Sequence, residues 1–125
     1  MGTSRVDPGV VERRIRTGQL DWLEIACAFE ADPPPWDINE LINQWFDWNP
    51  DVPDLAAYPA PTYTVEEAER LVAVGVAMNR LCDAPPKEII DTAGTLATRE
   101  WAELMALSGR AMNEMSRRGR LPDVD

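Results

Sequence analysis

Eleven prolines, most of them gathered in three clusters, constrain this chain more than any other feature. A proline inside a helix lacks the amide hydrogen and its ring clashes with the preceding turn, so each cluster ends whatever helix precedes it. The clusters are "ADPPPW" (31–36), "NPDVPDLAAYPAPTY" (49–63) and "DAPPK" (83–87). Between them apolar residues recur with helical spacing, and strand signals are nearly absent. The one short β-like stretch, "PTYTV", reads better as the start of a helix. The expected fold class is therefore all-α: a single irregular bundle of about five helices with a proline-rich connecting loop.

A first helix is expected from Asp7 as N-cap, with Pro8 at N1, to a stop near Gly18. A second, from about Gln19 to Ala31, is apolar over much of its circumference. Trp22, Ile25, Ala26 and Phe29 lie on one side of it, with Leu20, Leu23 and Cys27 on another, so it should be largely buried. Next comes "PPPWDINELINQWFDWNP", with three of the five tryptophans and no basic residue. Asp37 is its candidate N-cap, Glu40 completes a variant capping box, and Trp36 with Leu41 occupy the positions of a hydrophobic staple. Ile38, Leu41, Ile42, Trp45 and Phe46 share one face, which assigns Trp36 and Trp45 to the core. Trp48, at the end of that helix, has no such assignment.

Residues 49–63 are too proline-rich for a helix. They are expected to wrap the core on Val52, Leu55 and Tyr58, with a docking loop as the alternative. Thr64 and Glu67 form a second capping box and open a helix reaching about Asp83, expected at the centre of the fold. Glu66 is placed to pair with Arg70 one turn on. Gly75 interrupts this helix at a cost of about 1 kcal/mol relative to alanine, which suggests a close helix neighbour. A short helical turn is expected over Lys87–Ala93. The last helix, from about Thr98 to Arg118, carries Trp101, Leu104, Met105, Ser108, Ala111, Met112 and Met115 on one face, with Gly119 as its C′ residue.

At 125 residues the chain fits one domain (1–125), with 1–6 and 120–125 expected to be flexible ends. No apolar run approaches the length of a membrane span, and residues 1–10 carry no secretory pattern, so a cytoplasmic protein is expected. Cys27 and Cys82 are read as buried free thiols.

Charge is the strongest functional signal. The net charge is −10, and residues 19–69 hold twelve acidic side chains and no basic one. Residues 1–18 carry four arginines against two acids, and residues 70–125 balance eight against eight. Such a block opposes binding to phosphate backbones and anionic lipid and favours a basic protein surface.

Signals for catalysis are weak. The chain has no histidine, which removes the commonest general base, the usual nucleophile pairs and a standard Cys/His zinc site. No phosphate-cradling glycine motif occurs. Glu66, Glu67 and Glu69 resemble a metal-binding cluster but read better as a solvated helix start. Arg117, Arg118 and Arg120 read as a solvated basic tail. No catalytic, cofactor or metal residue is expected.

The leading expectation is a non-enzymatic acidic protein that binds a partner with a basic surface, without contacting nucleic acid or membrane directly. Asp37, Glu40, Asp47, Trp48, Asp51 and Asp54 are the expected contact residues. A sharper form is a nucleic-acid-mimicking inhibitor from a phage or mobile element. Twelve charges match about 20 Å of duplex at roughly one per 1.7 Å. Two alternatives are a phage structural or tail-assembly factor docking through hydrophobic contacts, and a small helical enzyme using carboxylates.

Overall fold

The computed structural model describes residues 8–83 and 92–121. Its elements are α1 (Pro8–Ala28), α2 (Ile38–Trp48), a single 3-10 turn (Leu55–Ala57), α3 (Val65–Asp83), α4 (Thr92–Leu96) and α5 (Arg99–Ser116). The protein is all-α, with no strand among the described residues. The most extensive packing is α3 against α5, followed by α1 against α5 and α1 against α2.

The first two expected helices are one. α1 runs unbroken through Gly18, because its inward face continues across that residue: Arg16, Gln19, Leu20, Trp22, Leu23 and Ala26 are all buried. Packing of that face outweighs the roughly 1 kcal/mol that a helical glycine costs. A side chain is also excluded at this position. A Cβ built on Gly18 would lie 2.5 Å from the indole of Trp48, so the tryptophan ring rests directly on the glycine backbone. Ile25 and Cys27, expected inside, are exposed, Ile25 on the outer side of α1 and Cys27 at the margin of its contact with α5. Asp7, the expected cap, lies outside the described residues.

α2 follows its sequence pattern closely. The Asp37 carboxylate accepts from the Asn39 and Glu40 amides at 3.0 and 3.4 Å, and Ile38, Leu41, Ile42 and Trp45 are buried. Trp45 meets Trp22 edge to face, with ring centroids 4.9 Å apart, and Trp22 donates its indole N–H to the Leu41 carbonyl at 2.8 Å. Phe29 links this cluster to the last helix through Trp101, 5.8 Å away. One hydrophobic cluster thus spans α1, α2, α3 and α5.

α5 is capped by Thr98, whose hydroxyl accepts from the Trp101 amide, and Gly119 beyond its end takes the left-handed conformation expected of a C′ glycine (φ 69°). Of the short turn expected over Lys87–Ala93, residues 87–91 lie outside the described residues. α4 begins at Thr92, whose hydroxyl accepts from the Ile38 amide.

Of the three anchors expected in the connector 49–63, only Tyr58 turns inward. Tyr58, Thr62 and Tyr63 are buried, whereas Val52 is 76% and Leu55 52% exposed. Its close approach to α3 is through Pro53, whose ring lies 3.0 Å from where a Cβ on Gly75 would be. Gly75 therefore makes room chiefly for a proline of the connector, with Trp45 of α2, 3.6 Å from the same point, as its helix neighbour.

Candidate functional site

Two sets of charged residues emerge, one inside the protein and one on its surface. The inner set forms where α1, the start of α3 and the end of α5 meet. Arg16 is fully buried and forks onto Glu67, Nη1 to Oε1 at 2.9 Å and Nη2 to Oε2 at 2.8 Å. Its remaining donors reach the carbonyls of Thr62, Met115 and Gly119, all within 3.2 Å. The guanidinium also lies against the Tyr63 ring, 5.7 Å from its centroid. Arg118 approaches Glu67 from the other side and donates to the Thr62 and Pro61 carbonyls.

Glu67 is only 1% exposed, so burial pushes its carboxyl upward. Hydrogen bonds from Arg16, Arg118 and the Thr64 amide outweigh that and hold it at about 2. The expected capping box is complete, with the Glu67 amide donating to the Thr64 hydroxyl at 3.1 Å and the Thr64 amide to Glu67 at 2.8 Å. The solvated role expected for Glu67 is nevertheless wrong. Residues 68, 71, 74 and 78 turn the same face of α3 inward, and Glu67 goes in with them. Its neighbours Glu66 and Glu69 are exposed as expected. Glu66 and Arg70 line one shallow depression but make no ion pair.

The tail is likewise not free in solvent. Arg118 closes over Glu67, and Arg120 pairs with Asp21 and Glu24 of α1. Residues 122–125 lie outside the described residues.

A second buried layer ties α1 to the end of α2 and the connector. Gln19 donates to the Trp48 carbonyl (3.1 Å) and to Asn49 Oδ1 (3.0 Å). The Tyr58 hydroxyl donates to the same Asn49 oxygen, and the Tyr63 hydroxyl to Gln19 Oε1. Burial pushes both phenols upward, so they stay protonated donors.

The surface set contains the expected contact residues. Asp37, Glu40 and Asp47 are exposed on α2, with Asp37 engaged as the cap and Glu40 accepting from Gln44. Asp51 is exposed, and its backbone carbonyl is held by Asn79. Asp54 caps the 3-10 turn through the Ala56 amide. Trp48 is 40% exposed, and the rest of its indole is committed to Gly18. Two of the six residues, Asp37 and Asp54, thus hold helix starts in place as well as lying at the surface.

Two apolar depressions fall where the sequence offered a site only as the lesser reading, a methionine-lined groove on the last helix and a docking loop in the connector. One, of about 370 Å³, lies between α1 and α5 and is lined by Ala26, Cys27, Met105 and Met112. The other, of about 470 Å³, is bounded by Leu55, Tyr58, Ala60, Pro61, Tyr63, Val65 and Ala68. Val65 is 69% exposed and Leu55 52%.

Among the described residues no three His, Cys, Asp or Glu side chains converge to hold a metal ion, and no helix is long and apolar enough to cross a membrane. No protein-family model, curated protein or solved structure matches the chain.

Proposed function

We propose that this is a non-enzymatic interaction protein that presents an acidic surface, from α2 to the first turns of α3, to a basic surface on a partner protein. An irregular helical bundle serves as the scaffold in this reading, and the proline-bearing connector carries part of the contact face. What supports it is the way the fold distributes its arginines. Arg16 and Arg118 are spent on Glu67, and Arg120 on Asp21 and Glu24. Glu30 accepts from the Trp101 indole. Four of the twelve acids between 19 and 69 are therefore satisfied internally. The other eight are Asp32, Asp37, Glu40, Asp47, Asp51, Asp54, Glu66 and Glu69; all are exposed, with no ion pair to a described residue.

That division narrows the nucleic-acid-mimicry form of the proposal. Eight charges correspond to about 14 Å of duplex at roughly one per 1.7 Å, a short stretch for a groove reader but ample for a basic protein patch. The exposed Val52, Leu55 and Val65 favour a second reading, an assembly factor that docks through hydrophobic contacts.

Salt separates the two. Glu40→Lys with Asp47→Lys changes the surface charge by two units per site, from −8 to −4 over the eight unpaired acids. A partner captured by the parent protein should then associate more slowly, with a flatter dependence on ionic strength. Equal association rates for parent and variant at low and high salt would reject the acidic-surface proposal. Binding indifferent to salt throughout would favour hydrophobic docking.

A further inference from the structure

We infer that the depression between the 3-10 turn and the start of α3 seats an apolar side chain from a basic segment of the partner protein. Lys or Arg residues flanking that side chain would lie over Asp54, Glu66 and Glu69. The inference rests on the acidic-surface proposal and narrows it to a place and a contact chemistry.

The depression is apolar by construction. Tyr58 and Tyr63 form its floor, edge to face with centroids 5.3 Å apart, and their hydroxyls are turned inward to Asn49 and Gln19. What they contribute to the cavity is ring surface. Leu55 and Val65 stand at its margins, more than half exposed, where neither adds to the core. The cap of α3 is made by Thr64 and Glu67, and the 3-10 turn is started by Asp54, so neither aliphatic residue is required by the local fold. A volume of about 470 Å³ falls within the range of small-ligand pockets and accepts a large aliphatic or aromatic side chain.

Charge selects the occupant. Asp54 immediately precedes Leu55, and Glu69 follows Val65 by one helical turn on the same side of α3. These acids lie beside the lining rather than in it, and Glu66 and Glu69 border the neighbouring depression together with the exposed Arg70, so the surroundings are net acidic. Such surroundings disfavour nucleic acid and anionic lipid. They also disfavour a second copy of the chain, since each copy would bring the same net-acidic surroundings and has already turned Arg16, Arg118 and Arg120 onto its own carboxylates. A basic segment with one apolar anchor satisfies both features at once, the anchor supplying affinity and the flanking cations orientation.

The test uses a short synthetic peptide of leucines and lysines, titrated into the isotopically labelled full-length protein and followed by amide chemical shifts. Saturable shifts should cluster at Leu55, Tyr63, Val65 and Ala68. Replacing the peptide's leucines by serine, or introducing Leu55→Ser with Val65→Ser into the protein, should weaken binding about tenfold or more. Both substitutions are at exposed positions, so the melting temperature checks that the fold is intact. Shifts confined to the Glu40–Asp47 face of α2 would overturn the cleft while leaving the acidic-surface proposal standing. A glutamate-for-lysine peptide that binds the cleft equally well would overturn both. Absence of any saturable shift, or peptide-free self-association that covers these amides, would also overturn the cleft.

Discussion

Glu67 and Glu40 occupy the same place in the same motif, the third residue after a helix-capping side chain, and their surroundings differ in almost every respect. Glu67 is buried under two arginines, whereas Glu40 lies in solvent beside Gln44. The residues that follow each at one and two turns account for the difference. After Glu67 come Leu71 and Val74, both buried, and after Glu40 come Gln44 and Asp47. A helix carries its first-turn side chain wherever its stripe goes. A capping motif therefore specifies where a helix begins, and the stripe decides whether its acid belongs to the fold or to the surface.

The largest expected effect comes from breaking the buried side of this comparison. Glu67→Ala leaves Arg16 enclosed without its counter-charge, and denaturant melts should show a loss of about 3–5 kcal/mol. Glu40→Ala, at the equivalent position of α2, should change stability by no more than about 0.5 kcal/mol. Comparable losses for the two would dissolve the distinction.

Acid sharpens it next. The folded carboxyl of Glu67 titrates at about 2, against an ordinary 4.5. Because the folded value is depressed, its stabilisation is complete above about pH 4.5 and is lost as the pH falls towards 2. The span corresponds to about 3 kcal/mol. Stability curves of Glu67→Gln across that window should be flatter than the parent's by about this amount.

A smaller effect is expected at the join of α1 and α2. In Gly18→Ala the added methyl meets the rigid indole of Trp48, which must move, and a loss of about 1–3 kcal/mol should appear in thermal or denaturant unfolding. Tryptophan emission should shift to the red as that ring is displaced into solvent. An unchanged spectrum and an unchanged melt would return Trp48 wholly to the contact surface. The smallest effect on stability belongs to Glu40→Lys with Asp47→Lys, within about 0.5 kcal/mol per site, with their consequence confined to association rates.

Most of the helices were legible because prolines and caps bound them on both sides: α2, α3 and α5 begin and end close to where Asp37, Thr64, Thr98 and the following breaks place them. α1 was misread because Gly18 carries a stop signal locally, while the helix continues on an inward face that runs from Arg16 to Ala26, and what requires the glycine, the ring of Trp48, lies thirty residues away. The inner charge network was half visible. Arg16 falls one turn before Leu20 and Glu67 one turn before Leu71, so both lie on buried stripes. Neither stripe shows that the two would meet, since fifty-one positions separate them. Arg118 and Arg120 gave no signal beyond a basic tail. The cleft was legible only as the docking-loop alternative for the connector, because Leu55 and Val65 remain outside where apolar residues would be expected to pack inside.

The claim that the acids of this protein divide into a folded-in set and a surface set is tested most directly by following the side-chain carboxyl of Glu67 through an acid titration by NMR. It should remain ionised down to about pH 2, coupled throughout to slowed exchange of the Arg16 guanidinium protons. A Glu67 carboxyl that titrates near 4.5, with Arg16 protons exchanging freely, would contradict the division and return Glu67 to the solvated surface.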